Sequence, residues 1–242
     1  MKRLHTHSQH FLRGSHLIAE LVGHSNIGKN DIVYDLGAGS GAITSVLAER
    51  CREVVAVEIE PQALTKLRAN MKDYANVSIV PKDILELTPP SKPYKIFANI
   101  PFSLSAQIVR KYTEADHAPE AIYFIVQKQF AQKLVPSNER FTAQLGAQLG
   151  PRFIARIRRP LRRTDFTPPP AVDTVLLELK LRGEPLLPSE QLPAYRDFVG
   201  RCFAEQKFFA TTPRSKAGIT LDFSPSQLSI AQWCTLWKIY KK

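Results

Sequence analysis

Between Asp31 and Leu181 the chain alternates short apolar, β-rich runs with longer stretches whose apolar residues recur at helical spacing. Ile32–Leu36 predicts a strand, glycines follow, and residues 42–51 predict a helix. Glu53–Glu58 (EVVAVE) predicts a second strand, and Pro61 suits the first turn of a helix reaching Met71. Residues 77–80 and 94–99 predict a third and a fourth strand, residues 103–112 a helix, and residues 121–126 (AIYFIV) a fifth strand. Nearly unbroken apolar strands separated by helices are the pattern of a parallel sheet covered on both faces. Residues 153–157 and 175–181, joined by a loop holding Pro168, Pro169 and Pro170, read as a closing strand pair. The expected fold is α/β and doubly wound.

After Arg182 the pattern changes. Gly183, Pro185, Pro188 and Pro193 punctuate a linker, no further strand run follows, and residues 195–206 and Ile230–Tyr240 predict helices. Trp233 and Trp237, at i and i+4, form a stripe expected to be buried. The chain is expected to divide into an α/β domain of residues 1–182 and a small helical domain of residues 183–242.

Composition narrows the function. Across 242 residues, 33 Lys and Arg face 22 Asp and Glu, a net charge of +11, and the 44% hydrophobic fraction is that of a folded chain. Such an excess points to a polyanion, either nucleic acid or an acidic membrane surface. No run approaches the roughly 18 apolar residues of a spanning helix. The opening MKRLHTHSQHFLRGS lacks the apolar core of a signal peptide, so a cytoplasmic protein, neither inserted nor secreted, is expected. Cys51, Cys202 and Cys234 are far apart and in no CxxC pair, which reads as small hydrophobes in a reducing compartment. His5, His7 and His10 lie close together, but no carboxylate or thiol pattern completes a metal site, and none is expected.

The chemistry-bearing residues sit at strand ends. Val33-Tyr34-Asp35-Leu36-Gly37-Ala38-Gly39-Ser40-Gly41 runs from a strand through GxGxG into a helix. Glycines there let a ligand lie against the strand end and the helix N-terminus, although any tight βα turn also uses glycine. Glu58 closes the second strand, 21 residues after Gly37, where a carboxylate can accept both hydroxyls of a ribose. Asp83, in Lys82-Asp83-Ile84-Leu85, can accept an adenine amino proton or be a plain loop aspartate. Asn99-Ile100-Pro101-Phe102 ends the fourth strand. An Asn side-chain oxygen and a main-chain carbonyl beside it can both accept from an exocyclic NH₂, while an aromatic ring stacks on a base taken from its helix. Arg152, Arg156, Arg158, Arg159, Arg162 and Arg163 fall within twelve residues free of acidic side chains. That run is a solvated face or a nucleic-acid backbone clamp, and Lys207 and Arg214 would extend the clamp.

As an ordered set, Gln9-His10-Phe11-Leu12, DLGAGSG, AVEIE, KDIL, ANIPF and Asp165-Phe166-Thr167-Pro168-Pro169-Pro170-Ala171-Val172 resemble the rRNA adenine-N6 methyltransferases. The likeness is greatest to the erythromycin-resistance (Erm) branch acting on large-subunit rRNA. The sister branch, the small-subunit rRNA dimethyladenosine transferases, usually reads NLPY where this chain reads NIPF. The resemblance spans residues 5–182 and weakens beyond. It implies a mostly parallel, seven-stranded, Rossmann-like methyltransferase sheet with a small all-helical, RNA-facing C-terminal domain. It implies S-adenosylmethionine as cofactor and a monomer that acts on 23S rRNA, conferring macrolide–lincosamide–streptogramin B resistance.

Carried over position by position, the family pattern assigns Gln9, His10, Leu12, Gly37, Gly39, Glu58, Ile59, Asp83, Ile84 and Asn99 to the cofactor. It assigns Asn99, Ile100, Pro101 and Phe102 to the target adenine. The family commonly has Asn, in QNFL, where this chain has the larger imidazole of His10. Direct in-line methyl transfer, needing no metal or covalent intermediate, is the expected mechanism. DNA adenine methylation, whose familiar motif is D/NPPY/W, does not match NIPF, and three further alternatives stand beside this reading. They are a small-subunit dimethyladenosine transferase, a non-catalytic RNA-binding relative, and a nicotinamide dehydrogenase, which would explain neither NIPF nor the arginine run.

Overall fold

The computed structural model describes residues 10–136 and 142–242. In chain order the elements begin with β1 (Phe11–Leu12), α1 (Ser15–Gly23), β2 (Ile32–Leu36), α2 (Ala42–Ala48), β3 (Glu53–Glu58), α3 (Pro61–Met71), β4 (Val77–Pro81) and β5 (Lys95–Asn99). A 3₁₀ turn at Phe102–Leu104 leads into α4 (Ser105–Glu114), followed by β6 (Ala121–Gln127), α5 (Lys128–Leu134) and α6 (Gln144–Leu149). Then come β7 (Phe153–Leu161), β8 (Phe166–Thr167), β9 (Thr174–Leu181), α7 (Leu192–Ala204), α8 (Gln206–Thr211) and α9 (Ile230–Tyr240).

Seven strands form one sheet in the order β4-β3-β2-β5-β6-β9-β7. The pairs β3–β4, β2–β3, β2–β5 and β5–β6 are parallel, with Asp35 opposite Ala56 and Asn99 opposite Ile125. Chain order runs outward from β2 through β3 to β4, then resumes with β5 on the other side of β2. The reversal therefore falls between Leu36 and Asn99, and the crevice beyond such a reversal is where open α/β sheets take ligands. The doubly wound expectation holds. Helix α3 shows how locally the elements are set. Glu60 caps it, accepting from the main-chain nitrogens of Gln62 (3.1 Å) and Ala63 (2.6 Å), and Leu64, Leu67 and Met71 form its buried face.

The chain forms two compact units, one of residues 10–128 and 157–179, the other of residues 129–156 and 180–242. The first holds the core of Leu21, Val22, Val33, Leu47, Val54, Phe97, Ile125 and Phe166. The second gathers Tyr195, Phe198, Val199, Trp233, Leu236 and Trp237. It also takes in residues 129–156, which the sequence expectation grouped with residues 1–182. The reason is packing of α6 on α7: the Tyr195 hydroxyl donates to the Ala147 carbonyl (2.9 Å), and the Gln148 amide donates to that of Arg196 (2.8 Å). Trp233 and Trp237 are buried, as their spacing predicts, and the three cysteines are buried and free.

Candidate active site at the strand ends

The loop after β2 is shaped by glycine. Gly37, Gly39 and Gly41 have φ of +75°, +57° and +93°, a region that side-chain-bearing residues avoid. The loop is tied to the next strand, because Gly37 N and Ala38 N both donate to the Val57 carbonyl, at 2.8 and 3.0 Å. Glu58, 5% exposed at the end of β3, completes the tie. One carboxylate oxygen accepts from Gly39 N (2.8 Å), and the other from Ile59 N and Glu60 N (2.8 Å each). A carboxylate offers about four lone-pair positions, so one remains for a ligand hydroxyl.

Neighbouring residues close around this loop. Ile84 is buried, and its Cδ1 would stand 3.5 Å from a Cβ at Gly37. Asp83 accepts from Leu85 N through Oδ1 (2.8 Å). The Phe11 ring reaches over Gly39, its Cε1 3.4 Å from where a Cβ would lie, while the ring remains 50% exposed. Asp35, fully buried at the end of β2, accepts from the Thr44 hydroxyl at 2.7 Å through Oδ2. Its Oδ1 has no partner among the described residues. Burial, opposed by the Thr44 bond and reinforced by Glu58, pushes the Asp35 carboxyl up to about 7. An acceptor left open beside a glycine cradle, a carboxylate with one free position and an apolar wall at Ile84 together suit a nucleoside that also carries a hydrogen-bond donor. The residues present thus fit a nucleoside cofactor.

The second half of the site lies at the end of β5. The Asn99 side chain donates through Nδ2 to the His10 carbonyl at 2.6 Å. A carbonyl only accepts, so the amide's nitrogen must face it and its Oδ1 points elsewhere. Ile100 is buried, and Pro101 and Phe102 are half-buried. His10 lies on Phe102, with ring centroids 5.8 Å apart and planes inclined by 27°, and its Nδ1 is 2.8 Å from the Pro168 carbonyl. Beyond it β1 pairs antiparallel with β8, Phe11 opposite Thr167 and Leu12 opposite Phe166. The N-terminal segment is thereby laced to the loop before the triple proline.

The expected site residues therefore converge, with differences. Glycine loop, Glu58 and Ile84 meet, and Asn99 and Phe102 meet His10. Gln9 lies outside the described residues. Leu12 packs against the core cluster, and its unassigned neighbour Phe11 is the one facing Gly39. Ile59 presents its main-chain nitrogen to Glu58 and leaves its side chain 54% exposed. Asp35 and Phe11 were both visible inside the motifs but carried no assignment, since neither burial nor a roofing contact can be read from spacing.

The basic residues separate by environment. Three arginines of the run already face acids: Arg158 to Glu178 (3.8 Å), Arg159 to Glu20 (2.7 Å) and Arg163 to Asp173 (3.4 Å). Arg156 and Arg162 are exposed, Arg152 is half-buried, and Lys207 is exposed on α8. Arg214 corrects the expectation of a surface contact. It is 8% exposed and donates to the carbonyls of Leu221 (2.6 Å) and Ala210 (3.4 Å), its guanidinium 4.7 Å from the Phe209 ring centroid. It holds the core of the second unit. Among the described residues no helix is long and apolar enough to cross a membrane, and no cluster of three or more His, Cys, Asp or Glu could hold a metal ion.

Comparison with known proteins gives one consistent picture. The family model described as "Ribosomal RNA adenine dimethylase" matches residues 2–241. An rRNA adenine N-6-methyltransferase of Lysinibacillus sphaericus is 31% identical over 238 residues, 97% of this chain and 95% of that one. Ribosomal RNA small subunit methyltransferase A of Levilactobacillus brevis is 30% identical over 211 residues, 82% of this chain and 71% of that one. Among solved structures, the crystal structure of the 23S rRNA methyltransferase ErmE superposes with a TM-score of 0.82 at 27% identity, covering 96% of this chain and 100% of that one.

Proposed function

The chain belongs to the ribosomal RNA adenine dimethylase family, and on that footing we propose that it methylates N6 of an adenine in large-subunit 23S rRNA, with S-adenosylmethionine as methyl donor. It is an rRNA adenine-N6 methyltransferase of the Erm type. The large-subunit target is supported by the likeness to ErmE.

The orientation of Asn99 carries the reading. With Nδ2 committed to the His10 carbonyl, Oδ1 is left as an acceptor at the strand end. Together with the Ile100 carbonyl it would take both hydrogens of an exocyclic amine and turn the nitrogen lone pair toward the methyl group. Pro101 would stiffen the loop, and the half-buried Phe102 ring would stack on the extruded base. The bound cofactor supplies a methyl group already activated by its sulfonium. Glu58 would hold the ribose with its remaining lone pair, Asp83 and Ile84 the cofactor's adenine, and Gly37 and Gly39 would leave room for its methionine part. Gln9, His10 and Ile59 complete the proposed cofactor contacts, with the Phe11 ring over Gly39 in the place the family pattern gives to Leu12. Positioning then supplies most of the acceleration, and the amine's proton leaves to water.

RNA attraction would come from charge. Residues 129–156 and 180–242 hold 14 Lys and Arg against 6 Asp and Glu, a net of +8 out of +11, which supports an RNA-facing role for this unit as a whole; residues 183–242 contribute 8 against 5 of that excess. Arg152, Arg156 and Arg162 would add a backbone clamp. A cytoplasmic monomer conferring macrolide resistance completes the proposal. The 30% identity to a small-subunit methyltransferase favours the second reading, modification of small-subunit rRNA. Labelling mixed 23S and 16S rRNA with radioactive cofactor, then mapping stops by primer extension, decides between them. A stop in 23S alone is expected, and a stop confined to 16S would establish the second reading instead.

A further inference from the structure

His10 joins three parts of the reacting end of the site. Its carbonyl takes the Asn99 amide (2.6 Å), its ring lies on Phe102 (centroids 5.8 Å apart), and its Nδ1 lies 2.8 Å from the Pro168 carbonyl. Because that carbonyl only accepts, Nδ1 carries the hydrogen and donates it. The adjoining main chain is fixed as well, since Arg13 N donates to the Asp165 carbonyl at 2.8 Å and the Arg13 guanidinium bonds the Thr167 hydroxyl. Residue 10 is thus held from the Pro168 side and presses against both groups that would receive the base.

We propose that His10 is a positioning residue for the target adenine, not only a cover over the cofactor. Its imidazole backs one face of Phe102, fixing the plane on which the base stacks. By anchoring its own main chain to Pro168 it also holds the carbonyl that aims Asn99 Oδ1 at the amine. An asparagine at this position could reach Pro168 with its amide but has no ring for Phe102; a phenylalanine could cover Phe102 but has no hydrogen for Pro168. Imidazole does both. The inference rests on the assignment of Asn99 and Phe102 to the base.

The test uses the full chain and the variants His10→Ala, His10→Asn and His10→Phe, each checked for folding by circular-dichroism melting. Cofactor Kd is read by calorimetry, and kcat and KM with rRNA at saturating cofactor. One stacking contact and one hydrogen bond each translate to roughly 2- to 10-fold. His10→Ala is therefore expected to lower kcat about 5- to 100-fold, with cofactor Kd rising by a smaller factor than kcat falls. His10→Asn and His10→Phe should each restore part of that loss. Kd rising in step with an unchanged kcat would overturn the proposal and leave His10 a cofactor contact. Values within about twofold of the wild type for all three variants would also overturn it. A wild-type chain that methylates neither rRNA would instead overturn the functional reading, and this inference with it.

Discussion

The Glu58 carboxylate accepts the main-chain N–H of Gly39 at 2.8 Å, joining the acidic end of β3 to the glycine loop after β2. Its other oxygen takes Ile59 N and Glu60 N, so both oxygens face donors. A carboxamide in their place would turn an NH₂ toward a main-chain N–H. Glu58→Gln is expected to cost about 1–3 kcal/mol of stability through that unmet donor and to weaken cofactor binding about 10- to 100-fold. Calorimetric titration beside denaturant melts checks both; unchanged cofactor affinity would remove Glu58 from the site.

Asp35 gives the fold a pH signature. Burial raises its carboxyl from the ordinary 3.8 to about 7, so between those values the native state keeps a proton that the unfolded chain has released. Its contribution to stability therefore falls as pH rises from about 4 to about 7 and levels off above. Asp35→Asn does not titrate, so the unfolding free energy of the variant minus that of the wild type should rise by a few kcal/mol across this window. Denaturant melts at four pH values from 4 to 8.5 measure that difference. A flat or falling difference would mean the buried carboxyl is already ionised at low pH.

Gly41 serves packing rather than ligand approach. Its φ of +93° strains any other residue, and an added Cβ would stand 2.8 Å from Leu67 Cδ1 and 3.0 Å from Met71 Cε. Those side-chain ends can shift, so Gly41→Ala is expected to cost about 1–3 kcal/mol, mostly backbone strain. A thermal melt lowered by less than 1 °C would contradict it.

The arginines are expected to act unequally on RNA. Arg156→Gln with Arg162→Gln should lower the slope of log affinity against log salt by about 1–2, roughly one phosphate contact each. Arg158→Gln with Arg159→Gln should lower it less, because Glu178 and Glu20 already face these two charges. Filter binding across a salt series compares the pairs, and equal slopes for all variants and the wild type would remove the clamp.

The parallel sheet was legible because its strands are buried on both faces: Glu53–Glu58 and Ile32–Leu36 lie where their apolar runs predict, and Ile230–Tyr240 matches its tryptophan stripe. What escaped depends on distant partners. The β1–β8 ribbon has two-residue strands that exist only through pairing across more than 150 residues. Strand β7 continues past residue 157 to Leu161 through Arg158, Arg159 and Pro160, a stretch of mostly exposed residues with no apolar alternation to mark it as strand. The helix expected over residues 195–206 ends at Ala204 and a second begins at Gln206, with Glu205 extended at φ −121° and ψ 96°; nothing in the local sequence explains that break. Helix α1 was missed although Ile18, Leu21 and Val22 carry a helical stripe, since no side chain caps its start. Arg214 looked like surface because a sequence cannot tell a guanidinium facing solvent from one facing carbonyls.

The most direct measurement is nucleoside mass spectrometry of digested 23S rRNA after incubation with cofactor and either the wild-type chain or Asn99→Ala. Wild type is expected to yield N6-methyl- or N6,N6-dimethyladenosine. Losing the Asn99 hydrogen-bonding amide is expected to lower the rate at least 10- to 100-fold, as for removal of a hydrogen bond made at the reacting group. Near-wild-type product from Asn99→Ala, or product at another atom of the base, would contradict the assignment of this strand end as the place where the adenine amine is held.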